Sequence, residues 1–102
     1  MDKKNIIIIR ADPDLKDLIP GYLENRRKDI QKITEAVARG DFETARILGH
    51  SMKGSGGGYG FDRVSEIGAE IEQKAKMCDG QGIAAAVAPL DTYLQQIEVV
   101  YE

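Results

Sequence analysis

The sequence predicts an all-α fold, an antiparallel up-down four-helix bundle preceded by a short N-terminal extended arm. From residue 12 onward, apolar residues recur at helical spacing in four successive segments. The turns between these segments are short, so consecutive helices must run antiparallel. A length of 102 residues suits one domain with its own core and leaves no room for two. We therefore divide the chain into an arm over residues 1–11 and a bundle over residues 12–102.

The arm and the first helix meet at residue 12. The arm contains the run Ile6–Ile9, which is short and β-branched and predicts one extended segment, a single strand, outside the bundle. Asp12 and Pro13 predict the first helix start, as N-cap and first helical residue. Pro20 must kink or restart this helix, because proline has no N–H and clashes with the preceding turn. The apolar stripe then continues to Arg39.

The second helix is predicted to follow almost at once. Gly40 is expected to end the first helix in a left-handed conformation, and Asp41 is expected to be the N-cap of the next one. The second helix is then predicted over Phe42–Tyr59, and Gly60 is predicted to end it.

The third and fourth helices complete the predicted bundle. Asp62 is expected to cap the third helix, whose apolar stripe extends to Cys78. Residues 79–82 predict a turn. The fourth helix contains Pro89, which should kink or break it, and is predicted to reach Tyr101.

Composition and charge exclude several classes of function. The net charge is −3 and the pI is near 5.2, which argues against broad nucleic-acid binding because that needs a basic surface. The longest apolar run is four isoleucines, too short to span a bilayer. A single cysteine cannot form an internal disulfide, which favours a reducing compartment. We expect a cytoplasmic monomer without nucleic-acid or membrane partners.

His50 is the residue of the second helix that does not fit the core. The residues expected on the core face are Ala45, Leu48, Met52 and Tyr59, with Gly49 and Gly56 at its edge. His50 falls on the opposite, solvent side. Arg46 and Lys53 lie one helical turn from it, and Gly54 and Gly57 share its stripe.

These neighbours suit a reactive histidine. An exposed imidazole is a nucleophile near neutral pH, and flanking cations suit a dianionic phosphoryl group. Glycine one turn away leaves room for a large partner. Taken singly, each feature has a simpler explanation: most surface histidines have no function, and Gly49 and Gly56 can serve close helix packing.

A family resemblance follows from the residues around His50. The segment His50-Ser51-Met52-Lys53-Gly54, with Gly60 six residues later, resembles the H-x-x-K-G-x-x-x-x-x-G signature of histidine-containing phosphotransfer (Hpt) domains. The flanking segments Gly40-Asp41-Phe42 and Phe61 are also similar to that family. The resemblance covers nearly the whole chain, from about Asp12 to the C-terminus.

The resemblance implies a role for each matched residue. His50 would accept the phosphoryl group on Nε2, and Lys53 would help to hold its charge. Gly54 would leave room for the active site of the partner, and Gly60 would end the helix.

The implied function is that of a phosphorelay intermediate in two-component signal transduction. The phosphohistidine would exchange its phosphoryl group with an aspartate of a response-regulator receiver domain, so receivers and hybrid histidine kinases are the expected partners. The receiver would supply the acidic pocket and the Mg²⁺, so we expect no metal or cofactor on this chain. The order Lys53-Gly54 is not that of a phosphate-binding Walker loop, so an ATP-dependent kinase is not expected.

Docking is predicted over the helix face that holds His50. Ile47 lies one turn before His50 and, with Arg46 and Gly57, would form a small apolar patch with a basic rim. Ile47 could instead pack under a neighbouring helix or the arm. A second possible function also stays open, that of a helical docking adaptor that uses the same surface without being phosphorylated.

Overall fold

The computed structural model describes residues 5–102 and contains four helices, as predicted. The elements in chain order are strand β1 (Ile7–Ala11), a 3-10 turn (Pro13–Leu15), helix α1 (Ile19–Ala38), helix α2 (Phe42–Ser55), a second 3-10 turn (Gly57–Tyr59), helix α3 (Asp62–Lys76), helix α4 (Gly80–Gln96) and strand β2 (Ile97–Tyr101). The helices form the predicted antiparallel bundle around one core.

The first helical segment restarts before Pro20. Asp12 does act as a cap, because its Oδ1 accepts a hydrogen bond from the Asp14 N–H at 2.9 Å, but it caps only the 3-10 turn. Helix α1 begins later, at Ile19, with Pro20 in its first turn. Proline is tolerated there because the first N–H groups of a helix have no intrahelical partner.

The junction between α1 and α2 is the one that the sequence predicts. Gly40 has a φ of +76°, a left-handed conformation that favours glycine. The Asp41 Oδ1 accepts a hydrogen bond from the Thr44 N–H at 3.0 Å and so caps α2.

Helix α2 ends at Ser55, so its predicted extension to Tyr59 is wrong. The next residues are glycines with low helix propensity. The Phe61 N–H donates to the Gly56 carbonyl at 2.8 Å, and the Phe61 side chain is fully buried. Gly60, with a φ of +92°, turns the chain back towards the core. Burial of the Phe61 side chain therefore stabilises the fold more than continuation of the helix would.

The starts of α3 and α4 also differ from the sequence prediction. Asp62 is the first residue of α3 rather than its cap. The Asp79 Oδ1 accepts a hydrogen bond from the Gly82 N–H at 2.9 Å, so residues 80–82 form the first turn of α4 instead of a loop.

The C-terminal segment is a strand, which corrects the prediction that the last helix reaches Tyr101. Helix α4 continues through Pro89 and ends at Gln96. Strand β2 then pairs in parallel with β1, with Ile7 opposite Ile97 and Ala11 opposite Tyr101. The predicted extended arm is therefore strand β1, and its inward residues pack against the bundle core.

Helices α2 and α3 pack with almost no space between their backbones. A Cβ placed on Gly49 would lie 2.8 Å from the Glu72 N, and one on Gly68 would lie 2.6 Å from the Lys53 N. The expectation that Gly49 and Gly56 allow close packing is confirmed, because a Cβ on Gly56 would lie 2.6 Å from the Ser65 N. This contact fixes which α3 side chains reach the surface around His50.

Candidate functional site

His50 lies on the exposed side of α2, as predicted. Its side chain is 65% exposed. The buried residues of α2 are Ala45, Gly49 and Met52. Because the ring stands clear of the core, an incoming group can approach it from solvent.

The Nδ1 atom of His50 is bound by Glu72, a residue of α3 that sequence reasoning missed. The distance from Nδ1 to the Glu72 Oε2 is 2.9 Å. A carboxylate only accepts hydrogen bonds, so Nδ1 must carry the proton and donate it. The neutral ring then has its lone pair on Nε2.

Lys53 contacts the other oxygen of the same carboxylate. Its Nζ lies 2.8 Å from the Glu72 Oε1, and the Glu72 side chain is only 5% exposed. The Lys53 ammonium, followed by the His50 hydrogen bond, holds the pKa of Glu72 below its usual range, against the opposing effect of burial. Glu72 is therefore ionised at neutral pH and orients both residues of the predicted motif.

The other cations near His50 differ in how firmly they are held. The Arg46 Nη2 lies 2.6 Å from the Glu43 Oε2, and its Nε lies 2.9 Å from the Glu43 Oε1. This bidentate pair raises the pKa of Arg46 and lowers that of Glu43. Lys76 of α3, which the sequence did not single out, lies with its Nζ 4.0 Å from the Glu72 Oε2.

The predicted glycines and the docking residue have distinct surroundings. A Cβ on Gly54 would meet nothing within 4 Å, so the surface one turn after His50 is open. Ile47 is 51% exposed, so no helix covers it, and neither do residues 5–11 of the arm. Gly57 lies in the 3-10 turn beyond α2, and its N–H donates to the Ser65 Oγ at 2.8 Å. Its predicted place on the helical stripe of His50 is therefore wrong.

The sequence does carry a signal for Glu72. The buried residues of α3 are Val64, Ile67, Gly68, Ile71, Glu72 and Ala75. Glu72 follows Gly68 by four residues on this buried stripe. An acidic residue at such a position needs a cationic or hydrogen-bonding partner, and the spacing alone does not identify that partner.

A comparison with protein families identifies the family to which the chain belongs. The family model described as the Hpt domain matches residues 17–99, a span that contains all four helices, His50 and Glu72. The chain belongs to the Hpt domain family. Searches of curated proteins and of solved structures found no match.

Membership of the family gives this Hpt domain its broad role. Hpt domains are phosphotransfer modules of two-component signalling, and they interact with receiver domains and kinases of those systems. Within residues 5–102, no helix is long and apolar enough to cross a membrane. The same part of the chain has no group of three or more histidine, cysteine or acidic side chains placed to hold a metal ion.

Proposed function

We propose that this Hpt domain is a phosphorelay intermediate whose His50 Nε2 exchanges a phosphoryl group with an aspartate of a response-regulator receiver domain. The observation that carries the proposal is the 2.9 Å contact between the His50 Nδ1 and the Glu72 carboxylate on an otherwise exposed ring. This contact assigns the proton to Nδ1 and directs the nucleophilic lone pair of Nε2 to solvent.

The transfer step requires little of this chain besides the oriented imidazole. The Nε2 lone pair attacks the phosphorus of an aspartyl phosphate, the N–P bond forms, and the P–O bond to the aspartate breaks. The aspartate leaves as a carboxylate, and the proton on Nδ1 stays in place. The ring gains positive charge, which the ionised Glu72 stabilises from 2.9 Å. The return transfer reverses these steps.

The remaining site residues act on charge and access. Lys53 anchors the Glu72 carboxylate, which orients the imidazole. The open surface at Gly54 admits the active site of the receiver. Ile47, Arg46 and Gly57 contribute to docking. The receiver supplies the acidic pocket and the Mg²⁺, and a hybrid histidine kinase is the source of the phosphoryl group.

We place this Hpt domain in the cytoplasm as a monomer, without an ATP-dependent activity of its own. In the relay, the phosphoryl group therefore comes from another protein. Membership of the Hpt family and the order Lys53-Gly54, which is not that of a Walker phosphate-binding loop, support the lack of an ATP-dependent activity. The single cysteine supports the cytoplasmic placement.

The variant His50→Gln tests the proposal directly, because His50 is the only histidine of the chain. Wild type incubated with a radiolabelled phospho-receiver should gain acid-labile label, and the variant should gain none. The fold should survive, since a solvent-exposed substitution changes stability by about 0.5 kcal/mol or less. Label on a folded variant at the wild-type level would contradict the assignment. Receiver binding without any label on wild type would indicate the docking adaptor instead.

A further inference from the structure

Two lysines contact the Glu72 carboxylate, but they do so unequally. Lys53 of α2 lies 2.8 Å from Oε1, whereas Lys76 of α3 lies 4.0 Å from Oε2. We propose that Lys76, rather than Lys53, is the cation that pairs with a phosphoryl group on His50, and that Lys53 stays with Glu72 as a positioning residue. This inference rests on the proposed phosphorylation of His50.

Lys53 is committed to Glu72 because the carboxylate is buried. Removing one partner from a buried ion pair leaves an uncompensated charge, which is strongly unfavourable. The Lys53 ammonium is the closest cation to Glu72 and the largest cause of its low pKa. Movement of Lys53 to the phosphoryl group would therefore weaken the anchor that holds the His50 Nδ1 proton in place.

Lys76 is not held by Glu72 in this way. Its distance of 4.0 Å from the Glu72 Oε2 is longer than a hydrogen bond, and its side chain is 51% exposed. The low pKa of Glu72 is accounted for by Lys53 and His50 without it. Arg46 is not an equivalent source of charge, because both of its hydrogen bonds go to Glu43.

The helix directions bring Lys76 towards the outer side of the imidazole. Side chains on a helix lean towards its N-terminus. Because α2 and α3 run antiparallel with Gly49 at the level of Glu72, His50 leans in the direction in which α3 continues to Lys76. Lys76 in turn leans back towards Glu72. The two side chains therefore converge, whereas Lys53 approaches the carboxylate from one turn further along α2.

The test uses phosphoramidate, a small phosphodonor, so that no receiver is required. The full chain is phosphorylated on His50, and ³¹P NMR follows the pKa of the phosphoryl group and the half-life of the phosphohistidine. A neighbouring cation stabilises the dianion, so Lys76→Ala should raise the phosphoryl pKa and shorten the half-life by about threefold to tenfold. Lys76→Arg should restore both.

Lys74→Ala is the matched control. Lys74 lies on the same helix, with its Nζ 4.0 Å from the Asp79 Oδ2, so its loss removes the same charge from an equally long contact away from His50. We expect Lys74→Ala to have the same phosphoryl pKa and the same phosphohistidine half-life as wild type. Lys53→Ala should instead raise the pKa of the Glu72 carboxyl in the unphosphorylated protein, measured by ¹³C NMR, a change that Lys76→Ala should not produce.

The outcomes separate this inference from the proposed function. A raised phosphoryl pKa in Lys53→Ala but not in Lys76→Ala would reverse the assignment. Equal behaviour of Lys76→Ala and Lys74→Ala would overturn the role of Lys76 and leave the phosphorelay intact. A wild-type protein that gains no phosphohistidine would remove both.

Discussion

Glu72 serves two partners of the candidate site with a single buried carboxylate. One oxygen accepts the His50 Nδ1 proton, and the other contacts the Lys53 ammonium. An ionised group at this depth is tolerated because one oxygen is hydrogen-bonded to His50 and the other is ion-paired with Lys53. The residue proposed to accept the phosphoryl group and the residue that orients it therefore come from different helices.

Glu72 should also contribute a pH-dependent part of the stability. Its pKa is lowered in the folded chain from the ordinary value of 4.5, so the folded state binds fewer protons than the unfolded state as the carboxyl titrates. The stabilisation is complete above about pH 5 and is lost as the pH falls through the folded pKa. The difference in unfolding free energy between wild type and Glu72→Gln should therefore stay constant above about pH 5 and shrink as the pH falls below that value.

Denaturant unfolding at a series of pH values measures this difference. Glu70→Gln is the control, because Glu70 lies on the same helix, is exposed and has no ion pair among residues 5–102. Its difference from wild type should stay constant with pH. A Glu72→Gln curve parallel to that of wild type would show that the pairing does not stabilise the fold.

Ile47 should anchor the receiver. Ile47→Asp places a charge in the apolar part of the proposed docking surface, and we expect receiver binding to weaken by about tenfold, as for a central interface side chain. The melting temperature should not change, because the side chain is half exposed. Leu18→Asp, at a similarly exposed leucine before α1, is the control and should bind normally. A destabilised Ile47→Asp, or one that binds at full strength, would exclude the anchor role.

The role of a residue can be predicted from the sequence when its partners lie nearby in the chain. The left-handed conformation of Gly40, the capping role of Asp41 and the exposure of His50 could be predicted because their signals lie within one helical turn. Glu72 could not be assigned, because its partner depends on which face of α3 meets α2. The pairing of Arg46 with Glu43 is local, but i,i+3 spacing alone does not say whether a surface pair forms.

At the scale of elements, the close contact between α2 and α3 is what assembles the site. Gly49 and Gly68 let the two backbones approach until a single methyl group would collide with the facing chain. This spacing lets the short glutamate side chain reach from one helix to the histidine of the other. Gly49 and Gly68 therefore contribute to the site through the close approach of the two helices.

Gly68→Ala should push the helices apart. The added Cβ would lie 2.6 Å from both the Lys53 N and the Met52 Cβ, and overpacking of this kind costs about 1–3 kcal/mol. Phosphotransfer should fall as well, because the contact between Glu72 and His50 lengthens. Thermal unfolding and label transfer measure the two effects.

Gly54→Ala is the matched substitution on the facing helix. Its Cβ meets nothing within 4 Å, so the variant should be more stable by about 0.5–1 kcal/mol through helix propensity. Equal stability changes of the same sign in both variants would contradict the steric interpretation.

The length of α2 shows why the end of a helix cannot always be predicted from the sequence pattern. The apolar period predicts a helix to Tyr59, yet Tyr59 instead stacks on Tyr22 with ring centroids 4.2 Å apart. Phe61 then enters the core. Both contacts are tertiary. Glycines occur both in turns and at close helix contacts, so Gly56, Gly57 and Gly58 do not by themselves mark the end of α2.

At the scale of the whole molecule, strands β1 and β2 join the two ends of the described chain across the bundle. The inward residues of both strands pack on the core, and Ala11 is buried within it. The sequence predicts the first strand from its β-branched run. It does not predict the second, because Ile97–Tyr101 continues the helical period of α4 and its partner strand lies at the opposite end of the chain.

Adjacent isoleucines of β1 should respond differently to the same change. Ile9 packs against the core and Ile8 faces outward. We expect Ile9→Thr to lower the free energy of unfolding by about 1–2 kcal/mol, in line with loss of packed methyl groups, and Ile8→Thr to change it by less than about 0.5 kcal/mol. Denaturant unfolding measures the free energy of unfolding of the two variants. An equal loss in both would show that the pair of strands β1 and β2 does not support the core.

The parallel pairing of β1 with β2 also determines the order in which the chain can fold during synthesis. Ile7 pairs with Ile97, so β1 emerges from the ribosome ninety residues before the strand that covers its edge. Helical hairpins form from local contacts and are fast, whereas pairing across such a separation is slow. Until β2 is released, the isoleucine-rich strand is an unpaired edge of the kind that seeds aggregation. Contacts among α1, α2 and α3 can therefore form early, whereas β1 gains its partner strand only after Ile97–Tyr101 has emerged.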